Sequence, residues 1–275
     1  MLETTINNGE ANNQDTAAPD SRVIDPALLE EMVQTGVLYG RRKNKTHPRM
    51  KPYIFAIRNG IEIFDLGEVL SLLEKAQEFL KETAKKSKTI LLVGTQPASK
   101  VLIKELGEKL NLPYVNERWL GGTLTNYQTI SKRIKYFTNL RADKESGKLE
   151  KYTKKERLEF EKSIHRFTTL FSGLEKLSSV PDAVLLIDAN DHKTALREAK
   201  RLRIPVAALV NSDFNPEEVD YPIPVNTRAK SSIQWVLGKL EQSIQEGLKE
   251  KFLVVEAAVA AAGGTPLKAA PKQNG

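Results

Sequence analysis

The sequence predicts an α/β fold, a parallel sheet covered on both faces by helices, with an antiparallel helical hairpin inserted into it. Three observations predict this. Strand-like and helix-like segments alternate along most of the chain. The strands are apolar at every position rather than at every second one, as strands buried on both faces are. Residues 123–177 break the alternation with two helical seams in succession. The chain has 275 residues, 40% hydrophobic and 28% charged, enough for one large domain or two small ones with an ordinary core.

The elements follow in order. Residues 1–24 are polar and aperiodic, acidic at Glu3, Glu10, Asp15 and Asp20, and read as a disordered tail. Asp25-Pro26 is an N-cap with proline at the first helical position. Leu28, Leu29, Met32 and Val33 give that helix an apolar face, and Gly36 ends it. A basic loop, "GRRKNKTHPRMK" (40–51), carries no acid. Tyr53, Phe55 and Ile57, the Asn59-Gly60 turn, then Ile61 and Ile63 form a hairpin pattern. Asp65 and Glu68 have capping-box spacing ahead of a helix that runs to about residue 86. "TILLVG" (89–94) is a buried strand, Pro97 opens a helix to about 110, and 114–116 is a short strand. Later come strands at 182–188, 205–210 and 220–225, with helices at 192–203 and 228–250. The α/β domain is thus expected at 25–122 and 178–250. Residues 251–275 form an Ala/Gly/Pro-rich tail, helical at first and disordered beyond.

The insertion at 123–177 is read from two seams. Tyr127, Ile130, Ile134 and Phe137 step by three and four. Phe160, Ile164, Phe167, Phe171 and Leu174 step as a heptad seam, with Thr153 and Glu156 spaced as a capping box before them. A polar loop around Ser146-Gly147 would join the two as an antiparallel coiled-coil hairpin. The other possibility is two ordinary surface helices.

The net charge of +7 favours a polyanionic partner, nucleic acid before acidic membrane, over mere solubility. There is no Cys, so disulfides, thiolate metal sites and cysteine nucleophiles are excluded. No run is apolar for long enough to span a bilayer, the start lacks the order of a signal peptide, and a cytoplasmic protein is expected. Basic residues cluster at 41–51 with Arg58, along the inserted helices from Lys132 and Arg133 onward, and at Lys193, Arg197, Lys200, Arg201 and Arg203. No helix-turn-helix, zinc-finger or RNA-recognition signature accompanies them, so contact would be to backbone and shape.

Catalytic patterns are absent. "VGTQPASK" (93–100) follows a strand but lacks the second glycine and the Lys-Ser/Thr pair of a phosphate loop, and Thr95 or Gln96 would cap the next helix. Asp188, Asp191 and His192 lie at a strand's C-terminal end, where a cation could bind, or where Asp191 simply caps the following helix. No metal, cofactor or catalytic residue is assigned. A small-ligand or phosphosugar-binding enzyme would use Gly94-Thr95-Gln96, Asp188 and Asn211 at the strand edge. A third reading is a protein-interaction module with the seam exposed to a partner helix.

"NERWLGGTLTNYQTI" (116–130), "PDAVLLIDA" (181–189), "RIPVAALVN" (203–211) and "VDYPIPVN" (219–226) stand in an order and spacing that resemble the bacterial small-subunit ribosomal protein S-two family, from about Leu28 to Leu240. The family usually has Phe-Gly-His where this chain has Tyr39-Gly40-Arg41, Gly-Thr-Lys-Arg-Gln at 94–98, and Asn-Asp-Asp at 226–228. The resemblance implies a flavodoxin-like (Rossmann-like) sheet with a helical-hairpin insertion and a structural role without catalysis. It implies a seat between head and body of the subunit, as a monomer on 16S ribosomal RNA beside other small-subunit proteins, with ribosomal protein S-one docking on it. Arg41, Arg42, Lys43, Lys45, Arg49, Arg118, Lys132, Arg133 and Arg228 are the expected RNA contacts. Trp119, Gly121, Gly122 and Asn126 are expected to build a corner. There Trp119 anchors the hairpin base, the two glycines let the backbone turn where a side chain would clash or let a phosphate approach closely, and Asn126 caps or bonds nearby.

Overall fold

In the computed structural model, residues 25–261 are described, with side chains through Lys251. The tail expected at 1–24, and residues 262–275 of the tail expected at 251–275, lie outside them. The chain forms α1 (Pro26–Thr35), β1 (Tyr39–Arg42), β2 (Ile54–Arg58), β3 (Ile61–Phe64), α2 (Leu66–Lys85), β4 (Ile90–Val93), α3 (Lys100–Lys109) and β5 (Tyr114–Val115). It continues with α4 (Tyr127–Glu145), α5 (Lys154–Phe171), β6 (Ala183–Ile187), α6 (Lys193–Arg201), β7 (Val206–Val210), β8 (Tyr221–Pro224) and α7 (Lys230–Ala261). Among the described residues no helix is long and apolar enough to cross a membrane.

The main sheet has five parallel strands in the order β5-β4-β6-β7-β8. Counted along the chain, that is 2-1-3-4-5, an order of doubly wound sheets. The residues of β4, β6 and β7 are buried throughout, because helices cover both faces. Right-handed crossovers leave β4 and β6 in opposite directions along the sheet, which puts α3 and α6 on opposite faces. α7 packs along α2, where Gln77 Nε2 donates to the Lys239 carbonyl and the Ser243 hydroxyl, and is tied to α3 by a Lys109–Glu241 ion pair.

Several expectations shift. β1 was part of the expected basic loop; it pairs antiparallel with β3, so that the hairpin becomes a three-stranded sheet of order β1-β3-β2. α3 begins at Lys100 rather than Pro97, because the Gln96 carbonyl accepts from Ser99 N–H, Lys100 N–H and the Ser99 hydroxyl in a turn of its own. Asp65 caps α2 by accepting from Gly67 and Glu68 N–H. The full capping box is the one at Thr153 and Glu156.

α4 and α5 run between β5 and β6. Ile130, Ile134 and Phe137 are buried, and so is Leu140, which continues the same seam. Phe167 of α5 lies edge-on to Tyr136 and Phe137, at 6.2 and 6.3 Å between ring centres, and Lys144 pairs with Glu161 at 3.2 Å. The second seam is shallower than the first. Phe160 turns to Tyr152 at the tip, Ile164 and Phe167 are half-buried, Phe171 ends α5, and Leu174 falls in a 3₁₀ turn beyond it.

That turn fixes the helix pair to the sheet. A Cβ on Gly173 would stand 2.2 Å from the Tyr114 carbonyl oxygen and 2.6 Å from its ring. Gly173→Ala is expected to destabilise the fold by about 3 kcal/mol, since backbone cannot yield as a flexible side chain does. The urea midpoint measures it, and a shift under about 0.5 kcal/mol would contradict the close approach.

Candidate nucleic-acid interface

The corner at 116–128 is organised by a residue from another element. α6 presents Ala195, Leu196 and Ala199 to the core, and Glu198 lies on that same buried face, 8% exposed. Its Oε1 accepts from Trp119 Nε1 at 3.1 Å and Gly122 N–H at 2.9 Å. Its Oε2 accepts from Leu124 N–H at 3.0 Å, Thr125 N–H at 3.2 Å and the Thr125 hydroxyl at 3.3 Å. Burial pushes the Glu198 carboxyl up; the donors from Gly122, Trp119, Leu124 and Thr125 outweigh it and hold the group below its ordinary value. The donors of this corner thus hold a carboxylate of the chain itself, and not a phosphate.

The corner residues divide accordingly. Trp119 is half-buried against the core with its indole N–H on Glu198. Gly122 has φ +87°, which a side chain would strain, and that conformation aims its N–H at Glu198. The clash expected at Gly121 is absent: a Cβ there meets nothing within 4 Å and its φ is not positive. Asn126 takes the N-cap position of α4 without a side-chain cap bond.

The C-terminal edge of the sheet, where the enzyme alternative placed its pocket, is filled. Asp188, fully buried at φ +67°, accepts from Gln96 Nε2 at 2.8 Å, the Thr227 hydroxyl at 2.7 Å and Asn190 N–H at 3.1 Å. Asp191 accepts from Gln96 Nε2 at 2.7 Å and Arg228 Nη2 at 3.3 Å. It therefore does not cap α6, whose N-cap position belongs to His192. His192 Nε2 accepts Thr95 N–H at 3.2 Å, which leaves Nδ1 to carry the proton toward the Asp188 carbonyl at 2.8 Å. Thr95 and Gln96 thus cross-link the edge instead of capping α3. Asn211 is buried, its Nδ2 donating to the Thr227 hydroxyl at 3.4 Å. Among the described residues no group of His, Cys, Asp or Glu converges as a metal site, since guanidinium and amide occupy both carboxylates.

The expected RNA contacts fall into two kinds. Arg41 faces Asp213 at 3.4 Å, Arg49 meets Glu217 at 2.5 Å, and Arg228 is held on Asp191. Arg42, Lys43, Lys45, Arg118, Lys132 and Arg133 are exposed and have no side-chain partner among the described residues. Farther along the helix pair, Arg141 grips Glu175 through two bonds at 2.8 and 2.9 Å, and Lys148 pairs with Asp143 at 3.2 Å. So the basic residues near the base of α4 are free, and several nearer the tip are used internally.

A family model described as ribosomal protein S2 matches residues 32–247. The chain belongs to the ribosomal protein S2 family. It is 39% identical over 226 residues to small ribosomal subunit protein uS2 of Dictyoglomus thermophilum, covering 82% of this chain and 92% of that one. It is 37% identical over 219 residues to the uS2 protein of Coprothermobacter proteolyticus, covering 80% and 82%. It is 37% identical over 223 residues to small ribosomal subunit protein uS2c of Cyanophora paradoxa, covering 81% and 96%. Membership makes this S2-family chain a structural ribosomal protein and not an enzyme. The filled strand edge has the same sense: an S2-family chain has no reaction for that crevice to serve, and its polar groups serve stability.

Proposed function

We propose that this chain is a structural constituent of the small ribosomal subunit in the cytoplasm, bound as a monomer to the backbone of 16S ribosomal RNA. Its α/β body spans 25–122 and 178–250, and residues 123–177 form an inserted coiled-coil hairpin. The seat is between head and body of the subunit, beside other small-subunit proteins, and the hairpin side supports docking of ribosomal protein S-one. The observation that carries the reading is family membership joined to the set of unpartnered cations Arg42, Lys43, Lys45, Arg118, Lys132 and Arg133. Cations without internal acids are available to phosphates, and each phosphate neutralised releases counterions. Arg41, Arg49 and Arg228 join them by exchanging an acid for a phosphate, at a smaller net gain.

Sedimentation of cell lysate tests the placement: the chain travels with the small subunit at moderate salt and is released as salt rises. A chain found only in the soluble pool contradicts it. At the level of residues, Lys132→Ala or Arg133→Ala is expected to weaken RNA binding regardless of sequence and to lower the slope of log K against log salt by about one. Titrations at several salt concentrations measure that slope, and an unchanged slope for every such variant would remove the phosphate contacts from the reading.

A further inference from the structure

The β1-β3-β2 sheet has one closed face and one open face. On the closed face Glu62 is 2% exposed and accepts from the Thr46 hydroxyl, while Gly40 packs beside Glu62 and Ser212. The open face is set by register. Tyr39 and Ala56 flank Ile63 in one row, and Arg42 and Arg58 flank Ile61 in the next. Residues directly opposite one another share a face, as do positions two apart on a strand, so both rows look outward together. Tyr39 is 45% exposed and Ile61 40%. Phe55, at the bulge of the same edge strand, is 76% exposed, the most open large apolar side chain among those described.

A monomer gains nothing by showing water an aromatic and aliphatic surface of this kind. Its surroundings say what covers it. Arg42 and Arg58 have no acidic partner among the described residues, and neither do Lys43, Lys45 and Lys51 in the loop that leaves β1. The one acid of the sheet, Glu62, is turned to the closed face. Aromatic side chains on a sheet, interleaved with arginines and unopposed by carboxylates, match the faces of unpaired bases and the phosphates between them. A duplex hides its base faces and would engage the cations alone.

We infer that the open face of this small sheet is a stacking platform for unpaired RNA nucleotides. The inference rests on the ribosomal RNA reading above and adds which part of that RNA the face takes: a single-stranded segment, its bases on Phe55 and Tyr39 and its phosphates on Arg42 and Arg58. Backbone contacts to paired RNA are left to the cations of α4.

The test uses the full chain, a single-stranded oligouridine of about ten nucleotides carrying a central 2-aminopurine, and a blunt RNA duplex of equal length. The native chain is expected to bind the single strand and change the 2-aminopurine fluorescence as that base stacks. Phe55→Ala, at a position too exposed to threaten folding, should weaken single-strand binding about tenfold and remove the fluorescence change. Phe55→Trp should restore both, and duplex affinity should stay within about twofold throughout. Equal losses on single strand and duplex, or no loss on either, would overturn the platform. So would a Phe55→Ala chain that binds both RNAs normally yet no longer rebinds salt-stripped small subunits, since that would give the face to a neighbouring protein. A native chain that sediments with the subunit and binds duplex but never stacks 2-aminopurine defeats only the platform. A native chain that binds neither RNA nor subunit defeats the ribosomal reading with it.

Discussion

Glu198→Ala is expected to destabilise the folded chain by about 4 kcal/mol, a large part of the 5–15 kcal/mol that holds a domain of this kind. The alanine removes one charged acceptor and strands the Trp119 indole N–H and the backbone N–H groups of Gly122, Leu124 and Thr125 in a partly buried corner. Hydrogen bonds to a charged group contribute about 1.5–3 kcal/mol each, and water recovers only some of the loss. Urea denaturation measures the effect; a loss under about 1 kcal/mol would mean that water replaces the carboxylate freely. Glu198→Gln should fall between, because one amide oxygen serves one side of the corner and its NH₂ meets donors on the other. The pH dependence follows from the direction of the shift. Glu198 titrates lower when folded than its ordinary value of 4.5, so its contribution is complete above that value and is lost as pH falls through the folded pKa. The stability gap between native chain and Glu198→Gln should therefore shrink with acid below about pH 4.5. A gap independent of pH would contradict the assignment.

Asp188→Ala is expected to have an effect of similar size, about 3–5 kcal/mol. The carboxylate joins three segments: Gln96 after β4, Asn190 beside Asp188 itself after β6, and Thr227 before α7, with Arg228 3.9 Å away. Its removal leaves the Thr227 hydroxyl and one of the two Gln96 amide hydrogens without an acceptor, the other staying on Asp191, and leaves alanine at φ +67°, a conformation that asparagine or aspartate adopts more easily. Asp188→Asn is expected to recover the backbone part and not the charge. Equal midpoints for the two variants would show that the lost carboxylate network, and not backbone strain, dominates. Gly121→Ala is the control for the neighbouring corner and should stay within about 0.5 kcal/mol, as nothing lies near its Cβ.

Much of the candidate interface was legible as composition and little of it as geometry. Runs of bases such as Arg41-Arg42-Lys43 announce a polyanion, because charge is a property of the residue itself. Whether a given base is free depends on acids far along the chain. Arg41 is engaged by Asp213, Arg49 by Glu217 and Arg228 by Asp191, and no local spacing relates those pairs. Glu198 escaped notice although a signal existed: it is an acid among the apolar positions Ala195, Leu196 and Ala199 of one helix face. Such an acid is placed there by a partner, and the partner, the 119–125 loop, lies more than seventy residues earlier.

By itself, the sequence determined the alternation of apolar strands and helices, the parallel sheet, the two helices between β5 and β6 and the family motifs. Each of these is periodicity or pattern within a short window, and burial on both faces leaves no other way to write such strands. The tertiary structure alone decided that Tyr39–Arg42 is a strand and not a loop. A strand of four residues with two arginines gains its hydrogen bonds only from β3, which comes some twenty residues later. It alone decided that Gln96 reaches across the sheet edge instead of capping a helix, and that the Trp-Leu-Gly-Gly corner closes on a carboxylate. In each case the deciding partner is distant along the chain, and a hydrogen bond between distant residues leaves no periodic trace in either segment.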